Sequence, residues 1–226
     1  VTAQEIFEAY PSDNKPLSSN VSLESLGISQ AVNKPFVFIT ANENYLNRAM
    51  NIAKEFNLNT WILGSGYEYR RLDYYSNKKP FFILPINFPS KPGLLKPLSD
   101  LQYSTEELKH WDMAPDNLFY LNDAGLDFSI TSHNLKKKSQ FRANLQKIID
   151  RGLSKDIVLA SLTTQPAEAI GMQKSLGKIA PGYDANLAIV DGEYFDPKSR
   201  VVSVWIEGQE HYIAPRSVPT FLGTWS

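Results

Sequence analysis

The segment Pro35-Phe36-Val37-Phe38-Ile39-Thr40 carries no charge and does not alternate polar with apolar residues. A strand buried on both faces reads this way, because neither face meets water. From Asn44 to Phe56 the spacing changes. Leu46, Ala49, Met50 and Ala53 recur on one helical face, and Phe56 extends it. Thr60-Trp61-Ile62-Leu63 is then a second apolar run, Gly64-Ser65-Gly66 a turn, and Tyr67 to Tyr75 a second helix. Pro80-Phe81-Phe82-Ile83-Leu84-Pro85 is a third strand, with its prolines at the ends, where a missing ladder donor is tolerated. Residues 86–100 form a loop, and Leu126-Asp127-Phe128-Ser129-Ile130-Thr131 is a fourth strand. Strands that alternate with helices at this spacing specify an α/β fold with a parallel sheet.

On either side the texture differs. Residues 1–33 are polar and rich in turn formers, with a short helix expected from Leu23 to Ala31. Phe141 to Arg151 is an amphipathic helix closed by Gly152, and Ser154 caps another that runs to about Ser161. Pro166 starts a third helix, which Gly171 ends. From Gly177 the pattern is β: strands at Asn186–Val190 and Val201–Ile206, a hairpin turn at Glu207-Gly208, and a strand at His211–Ile213. Residues 214–226 read as an irregular tail.

The 226 residues, 42% of them hydrophobic, suffice for one sizeable core. Lys plus Arg number 23 against 24 Asp plus Glu, so no basic stripe points to nucleic acid. Lys136-Lys137-Lys138 is a solvated helix start. No apolar run reaches the roughly 18–20 residues of a membrane-spanning helix. Cysteine is absent, which removes disulfide and thiolate chemistry, and there are three histidines: His110, His133 and His211. The chain begins with Val and shows no signal peptide, and so reads as a piece of something longer. Gly64-Ser65-Gly66 lacks the third glycine of a dinucleotide loop, Tyr69 standing in its place, so no bound cofactor is expected. Glu43, Glu55 and Glu68 are spaced as helix-surface residues. His110-Trp111-Asp112 reads as part of a packed loop. No Gly-x-Ser-x-Gly elbow is present.

Four dispersed strings carry a resemblance: Arg151-Gly152-Leu153-Ser154, Leu162-Thr163-Thr164-Gln165-Pro166-Ala167-Glu168-Ala169-Ile170-Gly171, Leu176-Gly177-Lys178-Ile179 through Pro181-Gly182 to Ala185-Asn186-Leu187, and Val204-Trp205-Ile206-Glu207-Gly208. In this order they resemble the C-terminal signature of the amidohydrolase superfamily, in its imidazolonepropionase-like branch. The likeness extends over residues 22–213. It implies a partial (β/α)8 TIM-like barrel, the four strands above being the fifth to eighth, with a small C-terminal β-sandwich element. The implied division is 1–175 for the half barrel, 176–213 for the β element and 214–226 for the tail.

The resemblance also implies a hydrolase of C–N bonds in amides that uses zinc or another divalent metal. Family members hold the metal with histidines on strands one, five and six and an Asp on strand eight, at the strand ends. Here the corresponding positions are Thr40, Gly64 and Ser132, and His133 is the one possible ligand nearby. The expectation is a degenerate site with no catalytic residue and no metal. Trp111-x-x-Ala114-Pro115-x-Asn117 followed by Ala124-Gly125 resembles long bacterial proteins, often exported, that carry a degenerate amidohydrolase region beside an intact one. That implies a periplasmic or exported parent. The expected partners are the rest of the parent polypeptide or, through open barrel edges, a second copy of this chain. Two alternatives stay open: an active metal-dependent amidohydrolase once an N-terminal half completes it, or an interaction domain of a larger exported protein.

Overall fold

The computed structural model describes residues 21–75, 79–93 and 103–213. The chain divides into two compact units, Val1–His133 and Asn134–Ser226. Helix α1 (Val21–Ala31) leads into strand β1 (Phe36–Ile39), followed by α2 (Glu43–Glu55) and β2 (Thr60–Leu63). A 3₁₀ turn (Glu68–Arg70), α3 (Leu72–Tyr75) and β3 (Phe81–Pro85) come next. Then follow α4 (Thr105–Met113), a 3₁₀ turn (Ala114–Asp116), α5 (Asn117–Asp123) and β4 (Phe128–Thr131). The four strands form one sheet in the order β1-β2-β3-β4, every pair parallel. This is the α/β fold with a parallel sheet that the alternating pattern implies, and it is consistent with the partial barrel that the resemblance implies.

Register explains the core. Phe38, Ile62, Phe82 and Phe128 lie in one row across the sheet, and the last three are fully buried. Leu84 and Ile130 make the next row on that face. The helix α2 buries Leu46, Ala49, Met50 and Ala53, the stripe visible in the sequence. Asn42 caps it, its side-chain oxygen accepting from the backbone N–H groups of Asn44 and Tyr45. On the opposite face Val37, Trp61 and Phe81 align, as do Ile39, Leu63, Ile83 and Ser129. There β1 is open: Val37 is 51% and Ile39 74% exposed. The Leu126–Thr131 segment is not open in the same way, since Leu126, Phe128, Ser129 and Ile130 are all buried. In the described sheet β1 and β4 are both edge strands, as expected, and the exposed large apolar side chains of the four strands lie on β1.

Two local expectations change. The helix expected over Tyr67–Tyr75 breaks into the 3₁₀ turn and α3, because Glu68 folds back to accept N–H bonds from Ser65 and Gly66 instead of facing solvent. The stretch before β4 carries two helices that apolar periodicity did not reveal. Ser104 starts α4 with a reciprocal capping box to Glu107.

The second unit contains α6 (Phe141–Asp150), α7 (Lys155–Leu162) and α8 (Thr164–Ala169), then an antiparallel sheet of β5 (Leu187–Val190), β6 (Val201–Ile206) and β7 (Gln209–Tyr212). Ser154 caps α7 by accepting from Ile157 N–H. Pro166 is the third residue of α8 rather than its start. The strand expected at His211–Ile213 begins two residues earlier, because the turn between β6 and β7 is as tight as a hairpin allows. Glu207 and Gly208 both have positive φ, 50° and 81°, as a two-residue type I′ turn requires. Gly177 has a steric reason: a Cβ there would lie 2.8 Å from the Thr163 carbonyl oxygen. The Arg142 guanidinium ties α6 to the loop before β6. It donates to the carbonyls of Tyr194, Asp196 and Ser199, and its plane lies over the Tyr194 ring.

Candidate functional site

In a parallel β/α sheet the chemistry belongs at the C-terminal strand ends, where the loops converge. Thr40 follows β1 there and is buried. Its hydroxyl donates to the Leu63 carbonyl at 3.0 Å, and its backbone N–H points to the same oxygen. Gly64 follows β2, its N–H bonded to Ile83 O at 3.0 Å. Ser132 and His133 follow β4. His133 is exposed, and its backbone N–H donates to Thr131 Oγ1 at 3.1 Å.

The sequence reading missed what surrounds Gly64. Glu68, expected on a helix surface, is only 1% exposed. Its Oε1 accepts from Ser65 N–H at 2.6 Å, and its Oε2 accepts from Gly66 N–H at 3.0 Å and from Asn117 Nδ2 at 2.7 Å. Asn117 also accepts from Tyr69 N–H at 2.8 Å, so one amide of α5 locks both the carboxyl group and the loop that carries it. A Cβ at position 64 would lie 2.6 Å from Glu68 Oε1 and 2.9 Å from Leu84 Cδ2. The corner above β2 is full, and only glycine fits beneath it. The available signal was the pairing of Gly64 with a carboxylate four residues on, and helical spacing disguised it.

A second cluster lies beside this one. His110, expected in a loop, is on α4 and stacks on Tyr67 with ring centroids 3.7 Å apart. Tyr69 Oη lies 3.3 Å from His110 Nδ1. Arg70 bridges Glu43 at 3.1 Å and Glu106 at 2.8 Å, with its guanidinium 4.5 Å from the centre of the Tyr67 ring. Burial, and then the Arg70 charge, hold the His110 pKa below its ordinary value. Burial raises that of Tyr67. These groups satisfy one another, so the cluster fastens α4 to the loop after β2.

Residues 121–211 match the model of the amidohydrolase family. Over 64 residues the chain is 39% identical to the amidohydrolase tasK of Hapsidospora irregularis, a stretch that is 28% of this chain and 6% of that protein. Residues 121–211 thus carry an amidohydrolase-superfamily region. Solved structures agree on the fold. An amidohydrolase from Thermotoga maritima superposes with a TM-score of 0.69 at 22% identity, covering 92% of this chain and 51% of that one. A prolidase complexed with N-methylphosphonate-L-proline gives 0.59 at 20% identity, covering 81% and 46%.

The chain thus spans about half the length of the solved amidohydrolase relatives it matches. The family match ends within β7 and contains all four strings of the C-terminal signature. In the parallel sheet, Thr40 and Gly64 follow neighbouring strands, joined through Leu63 O, while Ser132 and His133 stand at the far end of the sheet past β3. Among the described residues no group of three His, Asp, Glu or Cys side chains is placed to hold a metal ion.

Proposed function

We propose that this chain is a non-catalytic amidohydrolase-family domain, part of a larger polypeptide, in which the scaffold of a C–N hydrolase is kept without its metal centre. The observation that carries this reading is the filled corner at Gly64. The Cβ of a ligand side chain there would stand 2.6 Å from Oε1 of the Glu68 carboxyl group, itself held by Ser65, Gly66 and Asn117. The other positions offer a buried threonine hydroxyl bonded to Leu63 O, a serine and an exposed histidine. These donors do not fit a divalent ion, which wants several anionic or imidazole ligands converging on one point. The half-length match to solved relatives supports membership of a larger polypeptide.

The family match and the likeness to the Hapsidospora amidohydrolase favour a second reading, in which the chain belongs to a metal-dependent amidohydrolase whose other half supplies the ligands. Hydrolysis of a panel of dipeptides and cyclic amides, with and without added Zn²⁺ or Mn²⁺, tests the first reading in this chain. Metal-independent background throughout is expected. Metal-stimulated turnover that disappears in His133→Ala would overturn it.

A further inference from the structure

We propose that α4 is an acid-released clasp: protonation of His110 frees this helix from the loop after β2 while the parallel sheet stays folded. Three observations carry this. The first is how little apolar burial holds α4. Among the nine residues Thr105–Met113 no side chain is fully buried. Isolated helices shorter than about 12–15 residues are marginal in water, so a helix of this length that leaves its contacts unwinds. The segments on either side of the contact are anchored independently. The 3₁₀ turn after α4 buries Ala114 and Pro115, and α5 buries Asn117, Leu118 and Leu121. The loop after β2 is held by the Glu68 carboxyl group and by Asn117, which accepts from Tyr69 N–H. Release therefore moves α4, hinged at Ala114, and uncovers the half-buried rings of Tyr67 and Tyr69.

The second observation is how α4 is fastened to that loop. His110 stacks on Tyr67 with centroids 3.7 Å apart, and its Nδ1 lies 3.3 Å from Tyr69 Oη. Glu106, one turn earlier, meets Arg70 at 2.8 Å, but its side chain is 71% exposed, and an ion pair so open to water holds little. The histidine ring is the stronger tie. The third observation is the charge around that ring. The Arg70 guanidinium stands 4.5 Å from the centre of the Tyr67 ring on which His110 lies. An imidazolium there loses hydration by burial and faces Arg70. Glu106 on α4 and Glu43 on α2 favour it, yet both carboxylates already bond to Arg70. Burial and Arg70 prevail, and hold the His110 pKa below its ordinary 6.5. The released helix binds the proton more tightly than the docked one, so falling pH favours release.

Amide hydrogen exchange on the whole chain, corrected for the intrinsic pH dependence of exchange, tests the proposal. At pH 7.5 the N–H groups of Leu108 and Ala114, bonded to Ser104 O and His110 O, are expected to be less protected than those of β3, because α4 opens without global unfolding. Between pH 7.5 and 5.5 their protection should fall further. The ceiling is about tenfold, set by the ordinary pKa of the released histidine. His110→Phe, which keeps a ring on Tyr67, should abolish that fall. Should it not fold, His110→Gln, neutral at every pH, gives the same readout. Equal protection in α4 and β3 ties the helix to global unfolding and overturns the proposal. Protection of α4 that ignores pH, or a fall that persists in a folded His110 variant, overturns it as well.

Discussion

Replacing Gly64 by Ala puts the packing at the end of β2 to a quantitative test. The new Cβ would stand 2.6 Å from Glu68 Oε1, and ordinary contact begins at 3.4 Å, so the carboxyl group must retreat by about 0.8 Å. It cannot do so freely, because Ser65 N–H, Gly66 N–H and Asn117 Nδ2 all bond to it. Leu84, on the other side, is fully buried. Overpacking costs about 1–3 kcal/mol, and each buried donor left without its acceptor about 1–3 kcal/mol more. Gly64 does not have positive φ, so Ala is tolerated by the backbone and regains about 0.4–1 kcal/mol through the unfolded chain. The net expectation is a loss of about 2–3 kcal/mol, seen as a fall of about 1 M in the urea midpoint. Glu68→Ala removes the nearer obstacle and leaves Leu84 Cδ2 at 2.9 Å. On that background Gly64→Ala should cost about 1 kcal/mol less than in the wild-type chain, a coupling read in a double-mutant cycle. A Gly64→Ala protein as stable as wild type, or costs that simply add, would refute the account of this corner.

Three further outcomes follow from the same physics. His110 has a folded pKa below its ordinary 6.5, so the unfolded chain binds its proton first. Its contribution is complete above pH 6.5 and is lost as pH falls through the folded value. Urea midpoints should therefore drop between pH 7.5 and 5.5, and His110→Phe, which keeps the ring on Tyr67, should flatten that slope. Arg142→Lys loses the planar fork that serves Tyr194, Asp196 and Ser199 carbonyls and should cost about 2–3 kcal/mol in the same assay. Gly177→Ala pairs a 2.8 Å approach to Thr163 O with a φ of +87°. It should cost at least about 3 kcal/mol by the addition of overpacking and left-handed strain, read as a lowered melting temperature.

Strands were legible as unbroken apolar runs, as at Phe81–Leu84; Phe36–Ile39 reads as a strand buried on both faces too, but the side carrying Val37 and Ile39 is exposed. The hairpin at Glu207-Gly208 and the Ser154 cap were legible from single residues whose conformational preferences are strong. The helix α4 was not, because Thr105–Met113 buries none of its side chains fully and so shows no apolar stripe. Its readable sign was Ser104 with Glu107, a capping box. Glu68 was misread for a different reason. Its burial depends on Asn117, 49 residues away, and no local pattern reports a partner at that distance. The strand-end positions Thr40, Gly64, Ser132 and His133 were expectations from the family resemblance, while what fills the space around Gly64 comes from tertiary packing.

The central claim, that a hydrolase scaffold is kept without its metal centre, is tested most directly by metal content. The purified chain would be equilibrated with Zn²⁺, freed of unbound ion by dialysis, and assayed by elemental analysis beside His133→Ala. The account predicts that neither protein retains a stoichiometric metal. One zinc per chain, lost on replacing His133, would contradict it.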